Sequence, residues 1–320
     1  MSESVSSQNA DRCLVCGSQD WIFVREGTDL CRPSYGKTFC LRRCSACGLI
    51  AEIPSPDSAE LDAAYSVSED YACYRPAWAE QGWPIWKILR LWTTSRRLKS
   101  LKRHCRGKDL LEVGCGAGDF LVAAQGAGWN VRAVEYNKEM AGILREKFAV
   151  DVREGELAAG LWGAASFDVV ALWNVLEHVR DPLCEFTKIA SYLRPGGTLL
   201  LNIPSRQAAE MGLTFGKYWA LLDIPRHLHF LDRRTLAVLC EKAGLRLTEY
   251  RTPFVQSAWC YYMSCWNWAK EVKRRFRLLR FLFRAAMITA AIPLIAIRAA
   301  RGKGVEAFAV VKKSEAGTAA

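Results

Sequence analysis

The chain has 320 residues, of which 51% are hydrophobic, 24% charged and 11% aromatic; this excludes a disordered chain, a collagen and a coiled coil, and leaves room for one large domain with a small module. Thirteen Cys, an odd number spread over a long chain, argue against a secreted disulfide scaffold. The polar start shows no signal peptide, so a cytoplasmic, reducing compartment is expected.

The net charge of +11 is concentrated in two places. Residues 82–108 hold nine Lys/Arg and no acid, and residues 270–303 hold ten with one acid, Glu271, so the remainder is net negative. Such segments suit polyanions or anionic lipid, or are simply solvated helix faces. In chain order, residues 1–12 read as a polar tail and 13–56 as a small Cys-rich module that ends in the turn Ile53-Pro54-Ser55-Pro56. Within it, Cys13-Leu14-Val15-Cys16-Gly17 and Cys44-Ser45-Ala46-Cys47-Gly48 are matching knuckles. Each can present two thiolates to one tetrahedral zinc, with Gly permitting the tight turn. The expectation is a structural zinc ribbon held by Cys13, Cys16, Cys44 and Cys47, with redox use as the alternative and Cys31 and Cys40 as spare or substitute ligands. Residues 57–108 read as an aromatic linker followed by a basic helix over 83–106.

From residue 109 short apolar strands alternate with helical stretches, the rhythm of an α/β domain with a parallel sheet. Strands are predicted at 110–113, 131–135, near 149–153, at 167–172, 198–203, 245–250 and 305–312. Helices are predicted at 118–127, 137–147, 182–193 (closed by Pro195-Gly196-Gly197) and 233–243. The catalytic-type domain is thus expected over 109–251 and 304–313. Between its last two strands lies an insertion, 252–303, with an aromatic first part, a basic amphipathic helix over 270–284 and an uncharged run, Ala285–Ile297. That run is too short to span a bilayer and suits an interfacial segment; packing against a second subunit or burial in a core are the other readings.

Between the first strand and helix sits Glu112-Val113-Gly114-Cys115-Gly116-Ala117-Gly118, and Glu135 closes the next strand, where an acid can accept ribose hydroxyls. Glu112 and Asp119 around the turn would repel a diphosphate but suit a cationic ligand. With Phe167-Asp168-Val169-Val170, Asn174 to Pro182, Leu193 to Thr198 and Pro225 to Phe230, this stretch resembles class I S-adenosylmethionine-dependent methyltransferases. The resemblance implies a Rossmann-like seven-stranded sheet with an inserted antiparallel last strand. It implies that Glu112, Gly114, Gly116 and Gly118 hold the methionine end of the cofactor, that Glu135 binds ribose with Tyr136 beside the adenine, that Glu156 and Leu157 border the adenine, and that Asn174 faces the methyl group. A ribbon followed by such a domain is similar to bacterial proteins of polysaccharide and natural-product pathways.

Methyl transfer from a sulfonium is an in-line displacement, and a hydroxyl acceptor also needs its proton removed. His178 and His227 are the candidate bases. Asn174-x-x-Glu177-His178 resembles the Glu-x-x-Glu-His signature of metal-assisted O-methyltransferases, but Asn174 stands where that signature has an acid, so Mg or another divalent ion is disfavoured. Arg226 is a candidate for binding an anionic part of the acceptor, or for pairing with Asp223. The function expected is methylation of a small-molecule, sugar or lipid-linked acceptor at the cytoplasmic face of an anionic membrane. RNA methylation, with ribbon and basic segments gripping phosphates, is the alternative, and a ribbon scaffold without cofactor is the non-enzymatic one.

Overall fold

A computed structural model describes residues 12–29, 36–65, 84–215, 219, 221–271 and 277–315. The near-continuous apolar run at 167–172 forms the middle strand of a largely parallel sheet, because a strand covered on both faces must be apolar on both. Its strands are β4 (Asp109–Val113), β5 (Asn130–Glu135), β6 (Asp151–Glu154), β7 (Phe167–Trp173) and β8 (Leu193–Pro204). Two further strands, β10 (Leu245–Arg251) and β11 (Glu306–Lys313), complete seven in the order β10-β11-β8-β7-β4-β5-β6. β11 lies between β8 and β10 and runs antiparallel to both. This is the inserted antiparallel strand expected from the sequence.

Helix starts follow local chemistry. Asn137 accepts the amide of Met140 to cap α4 (Lys138–Phe148), and Asp181 accepts that of Cys184 to cap α5 (Pro182–Tyr192), with proline at its first turn. Asp232 and Thr235 cap α7 (Arg233–Lys242) reciprocally. α3 (Asp119–Gly126) starts directly from left-handed Gly118. One boundary differs from expectation. Pro195-Gly196-Gly197 does not separate helix from strand: β8 begins at Leu193 and runs through it, held by the pairing of Leu193 with Phe167.

The N-terminal region forms a second, antiparallel sheet from β1 (Trp21–Thr28), β2 (Thr38–Cys44) and β3 (Ile50–Glu52), and its fourth strand comes from far along the chain. β9 (His229–Phe230) pairs with β3, Ala51 opposite His229 and Ile50 opposite Phe230. Cys13, Val15, Cys44, Leu49 and Ala51 accordingly share one apolar core with Leu176, Leu236 and Leu239, and Lys242 donates to the Val15 carbonyl at 2.7 Å.

The linker contributes α1 (Ser58–Tyr65), and the basic stretch forms α2 (Pro84–His104); residues 66–83, where most of the linker aromatics fall, lie outside the described residues. α6 (Arg206–Phe215) follows β8. The insertion is two helices packed together, α8 (Phe254–Glu271) and α9 (Arg277–Ala300), the latter containing Pro293. Cys260, Tyr261 and Ile295 of this pair are buried in a second core with Phe39, Leu41 and Ile50 of the N-terminal sheet. The side chains of 265–285, which carry the predicted basic face, lie outside the described residues. Among the described residues, no helix is long and apolar enough to cross a membrane.

Candidate active site

The candidate cofactor groups lie at or just past the C-terminal ends of β4, β5, β6 and β7. Gly114, Gly116 and Gly118 adopt φ of 67°, 53° and 75°, the left-handed region that glycine enters at no steric cost. A Cβ on Gly114 would also lie 2.6 Å from Val175 Cγ2. Glu135 is buried and accepts the amides of Gly116 at 2.6 Å and Asn137 at 2.9 Å, one on each oxygen. That orients the carboxylate and leaves each oxygen a further lone pair for a hydroxyl. Burial pushes its acid up, opposed by these amides. Tyr136 is 59% exposed, with its hydroxyl 3.5 Å from Asp62 of α1. Glu156 is exposed, whereas Leu157 is buried in the main core with Val113 and Val134.

Glu112 is buried in β4, and its Oε2 has no hydrogen-bond partner; burial holds the carboxyl well above its usual range. The counter-charge comes from Arg97 of α2, one of the nine basic residues of 82–108. Its guanidinium lies 4.8 Å from the Trp173 ring centroid and feels the charges of Glu112, Glu306 and Asp119, yet it forms no ion pair among the described residues. The signal was present in helix phase: Arg97 stands four residues before fully buried Leu101 and seven after Arg90, which pairs with Asp119 at 3.0 Å. An unpaired buried carboxylate, a guanidinium and a hydroxyl-binding acid form a donor set that fits S-adenosylmethionine. Glu112 would take its ammonium, Arg97 its carboxylate and Glu135 its ribose.

Beyond β7 the chain turns through Asn174 (φ 60°) into a single 3-10 turn, Leu176–His178. The Leu228 amide donates to the Glu177 carbonyl at 2.8 Å, which brings the loop after α6 against this turn. His178, His227 and Glu177 converge there. The two imidazole centroids are 4.9 Å apart, and His227 Nε2 lies 4.0 Å from Glu177 Oε1 and 4.0 Å from Asp223 Oδ2. One ligating atom from each of Glu177, His178 and His227 falls within 4.8 Å of the others. His178 Nδ1 faces the Arg226 carbonyl at 2.9 Å and His227 Nδ1 the Leu221 carbonyl at 2.8 Å. A carbonyl only accepts, so each Nδ1 donates its proton and each lone pair resides on Nε2. Burial keeps both rings neutral, His178 pushed down to about 3. Glu177 is pushed up to about 8 by burial, which its backbone and the Asn174 amide oppose. The two neutral imidazoles offer lone pairs that can take a proton from a hydroxyl, and with Glu177 deprotonated the three groups suit a divalent cation. His227 thus places a third potential donor beside Glu177 and His178, at the point where Asn174 stands in place of the acid of the Glu-x-x-Glu-His signature.

Arg226 does not face an acceptor. Its side chain is 1% exposed and forks onto Asp29 at 3.0 and 3.1 Å and Asp223 at 2.7 and 2.9 Å, an internal strut from the N-terminal sheet to the His227 loop. In the knuckles, Gly17 and Gly48 adopt φ of 78° and 82°, and the thiols of Cys13, Cys16, Cys44 and Cys47 form one cluster, with 3.4 Å between Cys13 and Cys47 and 3.5 Å between Cys16 and Cys44. This set fits tetrahedral zinc and leaves no open position. Cys40 is not one of the four; its thiol lies 3.9 Å from Glu26.

A family profile described as a methyltransferase domain matches residues 87–250, and the chain belongs to that family. A protein of Mycolicibacterium smegmatis named as an S-adenosylmethionine-dependent methyltransferase is 31% identical over 150 residues, 47% of this chain and 56% of that protein. A ubiquinone biosynthesis O-methyltransferase of Aromatoleum aromaticum is 30% identical over 156 residues, 45% of this chain and 66% of the relative. The chain thus spans less than two thirds of either. The solved structure of a Haemonchus contortus phosphoethanolamine N-methyltransferase with S-adenosyl-L-methionine aligns at a TM-score of 0.47 and 17% identity, covering 69% of this chain and 53% of that one.

Proposed function

We propose that this chain transfers the methyl group of S-adenosylmethionine to a hydroxyl oxygen of a small, sugar-like or lipid-borne acceptor. The observation that carries the reading is the meeting of Glu177, His178 and His227 just past Asn174, where the resemblance puts the methyl group. In-line displacement at a sulfonium needs alignment first, which the Glu112, Arg97 and Glu135 set would give by fixing both ends of the cofactor. An alcohol also needs to lose its proton. The neutral imidazoles hold lone pairs at Nε2, with Nδ1 already anchored on a carbonyl, so either can accept it. Where a divalent ion binds, Glu177, His178 and His227 would hold it, and it would acidify the acceptor hydroxyl.

The four-cysteine cluster would hold a structural zinc. Exposed Ile292, Leu294 and Ile297 on α9, beside Arg298, Arg301 and Lys303, support docking on an anionic membrane face, as would suit a lipid-borne acceptor. The similarity to ubiquinone O-methyltransferases is in keeping with such an acceptor.

The test is methyl-labelled S-adenosylmethionine incubated with purified protein and cell extract, its products split into lipid, water-soluble small molecules and nucleic acid. Base-stable label in the lipid or small-molecule fraction is expected, lost in His227→Ala. Label in nucleic acid would overturn the acceptor class and make the basic segments a phosphate grip.

A further inference from the structure

At the start of β11, Glu306 is 9% exposed. Its partners are side chains from three other elements. Oε1 accepts the Asn174 amide at 3.3 Å and also that of Asn202 on β8, while Oε2 lies 3.9 Å from the Cys260 thiol of α8. Asn202 also donates to Asn174 Oδ1 at 3.2 Å, and the Asn174 backbone amide donates to the Asn202 carbonyl at 2.9 Å. The triangle determines which way the Asn174 amide points. Exchanging its oxygen and nitrogen would set two NH2 groups face to face at Asn202 and two oxygens face to face at Glu306.

Removing any one of these polar groups would leave others buried and unsatisfied, so the cluster is held as a unit. Burial raises the Glu306 acid, opposed by the Asn174 and Asn202 amides and then by the charge of Arg97. Asn174 itself sits in the left-handed region, uncommon for a residue with a Cβ, and its backbone is tied there by the same Asn202.

We propose that Glu306 is a positioning residue of the methyl-transfer site: together with Asn202 it locks the side-chain amide of Asn174, and so shapes the wall against which the sulfonium end of the cofactor sits. This rests on the reading of Asn174 as a cofactor-site residue. Glu306 touches neither cofactor nor acceptor and acts through Asn174.

The experiment is calorimetric titration of S-adenosylmethionine into the full chain and its variants, with urea unfolding alongside to register folding separately. Glu306→Gln keeps an acceptor oxygen for both amides and is expected to bind within about threefold of wild type. Glu306→Ala removes the acceptor, and Glu306→Asp withdraws it while keeping the charge; each is expected to weaken binding about tenfold. Asn174→Gly removes the amide but keeps the left-handed turn, with a similar loss expected. The double variant Glu306→Ala/Asn174→Gly should bind no more weakly than Asn174→Gly alone, because Glu306 then has nothing to position. Wild-type affinity in both Glu306→Ala and Glu306→Asp, or losses that multiply in the double variant, would overturn the proposal. Should Glu306→Ala not fold, Glu306→Asp carries the comparison. Unchanged binding in Asn174→Gly would instead remove Asn174 from the cofactor site, and the proposal with it.

Discussion

Asp29→Ala tests whether the N-terminal sheet carries part of the active-site architecture. The Asp29 and Arg226 side chains are each 1% exposed, stand 197 residues apart in sequence, and are joined by two parallel hydrogen bonds of 3.0 and 3.1 Å. Removing one partner of a buried pair costs about 3–5 kcal/mol, chiefly because the other charge stays buried. Here Asp223, 17% exposed, still accepts from Arg226, and the Ala64 carbonyl accepts at 3.2 Å. The loss is therefore expected at the lower end, about 3 kcal/mol, a large part of a typical folding free energy. It should show in urea unfolding as a lower midpoint at unchanged slope. Arg226→Met in the Asp29→Ala background should recover part of it, since no buried charge is then left unpaired on the Asp29 side. A second consequence concerns chemistry. The Arg226 carbonyl orients His178, and the His227 amide donates to the Asp223 carbonyl at 3.1 Å, so methyl transfer should fall with the strut. A change below about 1 kcal/mol, or a double variant as unstable as the sum of the singles, would refute this reasoning.

Cys44→Ser should lower zinc content from one equivalent and reduce methyl transfer together with stability, because β3 and β9 share a sheet; atomic absorption and labelled-methyl transfer check it, and full activity without zinc would separate the two. Glu52, buried with both oxygens unpartnered, is pushed up to about 9 by burial, Lys37 opposing. The folded protein retains a proton that the unfolded chain releases above pH 4.5. Its contribution is thus complete below that pH and is lost as pH rises through about 9, by about 1.4 kcal/mol per pH unit. Glu52→Gln should flatten that slope in urea midpoints taken at pH 6 and pH 8; parallel slopes would show that Glu52 does not carry it. Gly116→Arg should abolish S-adenosylmethionine binding in calorimetry, since the position has φ 53° and its amide holds Glu135. Retained binding would move the cofactor off this turn.

What could be read from the sequence follows from the range of the forces involved. β7 is a near-continuous apolar run, and three of the helices begin at Asn137, Asp181 and Asp232, whose side chains cap within three residues. Such local signals predicted these elements to within a residue or two. β9 is two residues long and has no periodicity to read; only its pairing with β3 makes it a strand. Arg226 carried no sign of Asp29, and Glu306 read as the polar end of a strand, because their partners are brought together by topology alone. The Glu177-His178 pair stood out by its spacing. Its union with His227 is made by contacts between distant segments, Leu228 to the Glu177 carbonyl and His178 to the Arg226 carbonyl, that no local pattern announces.

The same topology decides how membrane docking can be tested. Deleting the insertion would remove Cys260, Tyr261 and Ile295 from the core they share with the N-terminal sheet, and the Cys260 thiol from Glu306. Loss of binding after such a deletion would mean only that the fold had failed. The exposed side of α9 allows a cleaner cut: Ile292, Leu294 and Ile297 are 42%, 52% and 49% exposed, while Ile295 between them is 2% exposed. Sinking three half-exposed aliphatic side chains into an acyl layer is worth about 1 kcal/mol each, about 3 kcal/mol together. Replacing all three with Ser, Ile295 kept, should thus cut partitioning onto vesicles containing anionic lipid by about a hundredfold and leave the urea midpoint in place. Salt should weaken what remains, since Arg298, Arg301 and Lys303 would still face the headgroups. Unchanged flotation of the triple variant would show that this face is not the docking surface.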